Sequence, residues 1–254
     1  MTAYRLELRA PISEPVDASE ISFENFAERS IEQIRRMTIL VDQRQRSIAE
    51  VFEVTKAKSE KDRMVVEGDL RNVHGLASRQ SSGRWHICGD AGDNVAAGME
   101  GGELLVEGNV GDFLGGPLPN RKAGMSGGMI HVMGSAGHYA AHRMRRGTVL
   151  VDEAIGSNGG TSMIAGTLMA LRCGQKLAAG MRRGTIILRT LPRETIEAST
   201  HFSQPHRFLA DFLRLYKREN TARFVAPFIG KLVERVRADF TIGGQGEILY
   251  GDSS

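Results

Sequence analysis

Short apolar segments recur through the middle of the chain, and each opens on a glycine. Gly83, Gly102, Gly128, Gly147, Gly166 and Gly184 follow one another at intervals of 19, 26, 19, 19 and 18 residues, a period that marks a solenoid of stacked coils. Counted from those glycines, the second position holds Trp85, Leu104, Ile130, Val149, Leu168 and Ile186, and the fourth holds Ile87, Val106, Val132, Val151, Ala170 and Leu188. Both columns are apolar throughout. The first position holds Arg84, Glu103, Met129, Thr148, Thr167 and Thr185, mostly polar, and alternation at period two is the spacing of a strand with one buried face. Each coil therefore contributes one strand.

The residues between strands predict how the coils turn. Met99, Met125, Met144, Met163 and Met181 each stand three residues before an opening glycine, where a flexible thioether suits the irregular corner of a narrow core. Further glycines follow at Gly89 and Gly92, Gly108 and Gly111, and Gly134 and Gly137, at corners where a Cβ would clash. An earlier coil, Met64-Val65-Val66-Glu67-Gly68-Asp69, aligns with Leu104-Leu105-Val106-Glu107-Gly108-Asn109. A unit of about 19 residues is too short for a strand and a crossover helix, which together need roughly 30. The pattern predicts a mainly β chain, a right-handed parallel β-helix of about seven coils with strands ~4.8 Å apart.

Three segments result. Residues 1–61 form a polar lead-in, with short helices expected around Phe23, Phe26, Ile31 and Ile34 and a strand at Thr38-Ile39-Leu40-Val41. The glycine-rich array occupies 62–190. Beyond Leu191-Pro192 the glycines thin out, and Phe208, Leu209, Phe212, Leu213 and Tyr216 take helical spacing, as do Val225, Phe228, Ile229, Leu232, Val233 and Val236. Residues 191–254 are thus expected to be an α-helical tail that caps the open end of the array or docks on a partner, since terminal coils otherwise present unpaired strand edges.

Composition adds bounds. Thirty glycines with seven prolines fit a chain that needs several tight corners per coil. There is no run of 18 apolar residues and no basic stretch followed by an apolar one at the N-terminus, so neither a membrane span nor a secretory signal is read, and a cytoplasmic location is expected. Cys88 and Cys173 stand singly in different coils, which predicts reduced thiols. The formal charge of +3 is too small to argue for nucleic acid, and no stacking aromatics accompany the arginines.

Catalytic chemistry finds little purchase. His138 and His142 have H-x-x-x-H spacing, but Tyr139 stands where a zinc protease carries glutamate, and no helix is predicted there. Three or four convergent ligands are needed for a metal site, and none is read. His86 and His131 fill the third position of their coils, beside Leu105, Leu150, Met169 and Ile187 elsewhere, and read as partly buried structural residues. Gly124-Met125-Ser126-Gly127-Gly128 has the letters of a nucleophile elbow, yet no helix follows and the segment recurs as Gly98-Met99-Glu100-Gly101-Gly102, a coil corner. No glycine opens a βαβ unit that could hold a pyrophosphate. Catalytic residues are therefore expected to be absent.

Two features point to binding instead. The longer interval between Gly102 and Gly128 maps to a loop from Gly115 to Ala123, which projects from one face of a regular array and reads either as a tolerated surface loop of little closure cost or as a contact with another subunit. Arg145-Arg146 and Arg182-Arg183 hold the same place two coils apart, roughly 10 Å from each other along the stack. With Arg143 nearby they form a basic strip, read either as a solvated face or as a surface suited to acidic side chains.

Gly98-Met99-Glu100-Gly101-Gly102 and Gly124-Met125-Ser126-Gly127-Gly128 resemble the β-helix shared by the glutamate synthase C-terminal domain and the C-type subunit of formylmethanofuran dehydrogenase. Gly108-Asn109-Val110-Gly111-Asp112 and the loop Gly116-Pro117-Leu118-Pro119-Asn120-Arg121-Lys122-Ala123-Gly124-Met125 are similar to the dehydrogenase branch, most of all to the C-type subunit of the bacterial formyltransferase/hydrolase complex. The resemblance implies a non-catalytic scaffold for an amidohydrolase-like A-type subunit, a B-type subunit and a formyltransferase D-type subunit. Together these transfer formyl from tetrahydromethanopterin to a methanofuran analogue and release formate. It also implies that this chain itself binds no cofactor, although Arg145, Arg146, Arg182 and Arg183 are candidates to receive the glutamyl tail of a methanofuran-type cofactor. Alternatives within the resemblance are the C-type subunit of a tungsten or molybdenum formylmethanofuran dehydrogenase, or a glutamate synthase-like module.

Overall fold

The computed structural model describes residues 3–56, 63–191, 195, 200–217 and 221–251. In the first part of the chain the strands are β1 (Tyr4–Leu8), β2 (Val16–Asp17), β3 (Thr38–Val41), β4 (Arg44–Ser47), β5 (Phe52–Lys56), β6 (Arg63–Glu67) and β7 (Val73–His74). The glycine array supplies β8 (Arg84–Cys88), β9 (Glu103–Val106), β10 (Met129–Val132), β11 (Thr148–Ile155), β12 (Thr167–Cys173) and β13 (Thr185–Thr190). The tail supplies β14 (His206–Leu209), β15 (Leu232–Ala238) and β16 (Gly246–Gly251). The chain is mainly β and is dominated by a mixed 12-stranded sheet ordered β14-β15-β16-β13-β12-β11-β10-β9-β8-β6-β1-β5.

Within that sheet, neighbours from β1 through β16 run parallel and in register, so equivalent residues form transverse rows. One row is Tyr4, Met64, Trp85, Leu104, Ile130, Val149, Leu168, Ile186 and Ile248, and the next inward row runs from Leu6 through Ile87 and Val151 to Tyr250. Every member of both rows is buried, each aliphatic one contributing about 1.5–3 kcal/mol on leaving water. A second parallel ladder of single bridges, Leu70 to Ala91, Val110, Ala136 and Ile155, follows the strands one corner later. The expected alternation is therefore present, and its buried columns extend beyond the glycine array at both ends.

The corners explain the methionine and glycine pattern. A Cβ placed on Gly166 would lie 2.7 Å from Cε of Met144, and one on Gly184 would lie 2.8 Å from Cε of Met163. Each thioether thus fills the space that the next coil's glycine leaves open. At the opposite corner short polar side chains tie coil to coil. Asp93 Oδ1 accepts the Asp112 N–H at 2.7 Å, Asp112 Oδ1 accepts the His138 N–H at 2.6 Å, and His138 Nδ1 accepts the Ser157 N–H at 3.0 Å.

The lead-in forms the expected short helices at Phe23–Phe26 and Ile31–Arg35, the first capped by the Ser22 hydroxyl and the second by a Ser30–Gln33 capping box. It is also part of the sheet, because β1 pairs in parallel with β6, and β5 pairs antiparallel with β1 at the edge. A smaller sheet, β4-β3-β2-β7, lies beside it. The segment boundary at 61–62 and Pro192 fall outside the described residues.

The tail departs from the helical expectation. Residues 206–209 are a strand, 211–216 a 3-10 helix, 222–225 a single α-turn, and 232–238 and 246–251 are strands. Pro227 ends the α-turn and opens a 3-10 turn, and Gly230 takes φ +75°, so the apolar spacing from Val225 to Val236 never forms one helix. β15 is instead held on both sides, antiparallel to β14 and to β16. Ala210, Leu213, Phe224, Val225, Phe228 and Val233 cover the outer face of the last coils, against Leu150, Met169, Ile187 and Leu249. That explains why those third positions are apolar. Asp152 pins the cover, accepting from His131 Nε2 at 2.8 Å and from the Arg223 guanidinium.

Candidate functional site

The corners before β11, β12, β13 and β16 converge on an open groove of about 810 Å³. Its geometry follows from the corner pattern. Met144, Met163 and Met181 turn inward and are fully buried. The pair of residues after each methionine is consequently on the outside. In order along the stack these pairs are Arg145-Arg146, Ile164-Ala165 and Arg182-Arg183, held by N–H bonds at 2.8 Å from Arg145 to the Met125 carbonyl, from Ile164 to that of Met144 and from Arg182 to that of Met163.

All four predicted arginines line this groove, with Ile164 and Ala165 as the step between the two pairs. No carboxylate is among the lining residues, and none of the four has an ion-pair partner among the described residues. Arg143 is exposed one corner earlier, where its N–H bonds the Thr161 carbonyl, and it does not line the groove. The fourth wall is the loop Ile242-Gly243-Gly244-Gln245, which the array pattern did not include. Its signal was present in Gly246-Glu247-Ile248-Leu249-Tyr250, which repeats the glycine-led alternation of Gly102-Glu103-Leu104-Leu105-Val106.

That wall is built by close approach. The Gln245 N–H bonds the Arg182 carbonyl at 2.7 Å, and a Cβ on Gly244 would lie 2.4 Å from the Met181 carbonyl oxygen. Asp239 braces it, accepting the Gly180 N–H at 2.7 Å, the Thr241 N–H at 3.2 Å and the Thr241 hydroxyl. Burial pushes the Asp239 carboxyl up, but these donors and His201 outweigh it and hold the group below the ordinary carboxylate value. A depressed carboxylate lends stability that is complete above its ordinary value and is lost as pH falls through the lowered one. Asp239→Ala is expected to cost about 1–3 kcal/mol, because it strands the Gly180 N–H. Denaturation of both proteins across acidic pH checks this, the difference between them shrinking as the wild-type carboxyl protonates.

The other side chains singled out from the sequence serve the fold. His142 Nδ1 bonds the Thr161 carbonyl at 2.9 Å, while His138 Nδ1 accepts from Ser157, so the two imidazoles do not share a ligand. Burial, and to a lesser degree Arg143, lower the His142 pKa despite its bond to Thr161. Ser126 is at a corner, its N–H bonded to the Met99 carbonyl at 2.7 Å, and the strand β10 rather than a helix follows. Both cysteines are free thiols. Burial, then Glu107 and Glu67, push Cys88 up to about 11, and burial pushes Cys173 up to about 12.

No helix among the described residues is long and apolar enough to cross a membrane. No protein-family model and no curated protein matches the sequence. Among solved structures, the chain is similar to a chain of the formyltransferase/hydrolase complex (FhcABCD) from Methylorubrum extorquens, whose X-ray crystal structure is in complex with methylofuran. The two are 25% identical with a TM-score of 0.74, over 98% of this chain and 99% of that one.

Proposed function

We propose that this chain is a structural subunit, the C-type subunit, of a formyltransferase/hydrolase complex. The observation that carries the reading is end-to-end similarity to a chain of such a complex, 98% of one and 99% of the other at 25% identity. In this reading the in-register stack is a right-handed parallel β-helix. An amidohydrolase-like A-type subunit, a B-type subunit and a formyltransferase D-type subunit assemble on it. They move formyl from tetrahydromethanopterin to a methanofuran analogue and release formate. A scaffold role without catalysis is supported by the way His138 and His142 are engaged in coil-to-coil hydrogen bonds.

The arginine groove is the binding surface of this scaffold. Four guanidiniums around one concavity suit a chain of carboxylates, from a neighbouring subunit or from the glutamyl tail of the cofactor. The loop after Gly115 is a second contact. It leaves the ladder at Gly116 and returns at Gly124, with Pro119, Asn120, Arg121 and Lys122 exposed.

Affinity purification of the tagged chain from its host tests the reading. The expected companions are an amidohydrolase-like and a formyltransferase-like protein without tungsten or molybdenum. A complex containing either metal would move the chain to the dehydrogenase branch, and recovery of the chain by itself would overturn the assignment. Removal of residues 117–122 is expected to reduce recovery of at least one companion while leaving the chain's melting temperature within a few degrees, since a shortened loop changes closure entropy little.

A further inference from the structure

Among the described residues the tail covers the outer face of the last coils and not that of the first, and one cluster there has no part in the function proposed above. Strand alternation puts His86 and Cys88, two residues apart on β8, on the same outward face. In-register pairing of β6 with β8 sets Glu67 directly beside Cys88. On the other side Ile87 pairs with Val106, so the next residues, Cys88 and Glu107, are neighbours too. Three successive coils thereby present carboxylate, thiol and carboxylate in one transverse row, with an imidazole two residues up the central strand.

Distances bring these donors together. His86 Nε2 is 2.7 Å from Glu107 Oε1 and 3.8 Å from Cys88 Sγ, and Cys88 Sγ is 3.9 Å from Glu67 Oε1. Donor atoms of His86, Cys88 and Glu107 all lie within 4.8 Å of one another. Tetrahedral zinc, with bonds of about 2.0–2.3 Å, sets its ligand atoms roughly 3.3–3.8 Å apart. The His86–Glu107 pair has to open, for which Glu107, with 49% of its side chain exposed, has room, and Glu67, 3.9 Å from Cys88 Sγ and outside that group of three, has to swing in.

The geometry points to a zinc site in which His86 Nε2, Cys88 Sγ and Glu107 are ligands and Glu67 completes the tetrahedron. The mixture of imidazole, thiolate and carboxylate suits zinc better than calcium or magnesium, which take oxygen ligands, or copper(I), which takes sulfur. Two rearrangements accompany binding. Arg63 Nη2, 3.0 Å from His86 Nδ1, turns away so that Nδ1 carries the proton while Nε2 binds the metal. Glu67 leaves its ion pair with Arg5, 2.5 Å long and half-exposed on the arginine side, which costs little because such surface pairs are weak. The Cys88 proton is released on binding. Zinc would then fasten β6, β8 and β9 across their outer face.

The test is titration of the reduced, metal-free full-length chain with cobalt(II), which reports a thiolate ligand by a near-ultraviolet charge-transfer band. We expect one equivalent to saturate the band, zinc to displace it, and the melting temperature to rise with zinc. Cys88→Ser should abolish the band and the thermal shift while Cys173→Ser retains both. His86→Gln, which keeps the thiol, should weaken cobalt binding at least tenfold. Matching melting temperatures of the metal-free variants would show that each still folds. A wild-type chain with no saturable band, or a band that survives Cys88→Ser, would overturn the site.

Discussion

The double charge reversal Arg146→Glu and Arg183→Glu is expected to weaken binding of a tetraglutamate peptide to the purified chain by about 100-fold at low salt. The groove brings both arginines, with Arg145 and Arg182, around one cavity with no lining carboxylate. Each lost contact of an exposed arginine with a carboxylate is worth up to about 1 kcal/mol, each introduced carboxylate adds a like-charge repulsion of similar size, and every 1.4 kcal/mol is tenfold in affinity. A hundredfold loss therefore asks for about 3 kcal/mol from two lost contacts and two repulsions together. Calorimetry at several salt concentrations should show wild-type affinity falling steeply with salt and the variant's small residue falling less. Arg143→Glu makes the same reversal at one position outside the groove, half the double variant's change of net charge, and is expected to lower affinity only about two- to threefold. A loss of about tenfold in Arg143→Glu, half the double variant's in free energy, would reduce the effect to net charge, and an unchanged affinity in the double variant would remove the groove from binding.

A larger effect on stability is expected at the corners. Gly184 has φ +106°, and an added Cβ would lie 2.7 Å from the Gly166 carbonyl oxygen and 2.8 Å from the Met163 methyl. Gly184→Ala combines backbone strain of about 1–3 kcal/mol with overpacking of about 1–3 kcal/mol, so the expected loss is about 4 kcal/mol. Gly230 is the internal control. It too is left-handed, with φ +75°, but nothing lies within 4 Å of a Cβ placed there. Gly230→Ala should therefore cost only the strain, about 1–2 kcal/mol. Denaturant unfolding of the two variants measures the difference, and equal losses would mean that the coils are not packed through their glycines.

The two corners of a coil differ in how far they could be read. The methionine-glycine corner is legible because its packing is local in the repeat. A thioether at one position meets a glycine at a fixed offset one coil later, so the requirement recurs with the period. The Asp93, Asp112 and His138 ladder recurs at the same spacing, yet aspartate and histidine at a turn have many uses, and only coordinates distinguish coil-to-coil acceptors from a solvated edge. His138 stands out in the sequence for its spacing to His142, and the structure gives each imidazole a separate backbone partner.

The arginine groove was half legible. Equivalent positions two coils apart placed Arg145-Arg146 and Arg182-Arg183 on one strip, because in-register stacking turns sequence period into spatial proximity. The wall from Ile242 to Gln245 was not, although Gly246-Glu247-Ile248-Leu249-Tyr250 carried the coil pattern. It lies about sixty residues from β13, with which the following strand pairs, and a single strand at that distance has no period to reveal it. The His86, Cys88 and Glu107 cluster escaped for a related reason. His86 and Cys88 share β8, but Glu107 belongs to the next coil at a different position, so the cluster closes only across strands.

By itself, then, the sequence determined the strand period, the two buried columns, the glycine and methionine corners and the arginine strip, all of which follow from steric and hydrophobic demands repeated every coil. Tertiary structure alone decided the strands of the tail and the entry of β1 from the lead-in into the main sheet. The segment from Leu232 to Ala238 has an apolar spacing compatible with a helix, and became a strand because β14 and β16 offer hydrogen-bond partners on either side. Local propensity is worth tenths of a kcal/mol per residue, whereas leaving the last strand of a long sheet unpaired and its outer apolar row of Leu150, Met169 and Ile187 in water would cost far more.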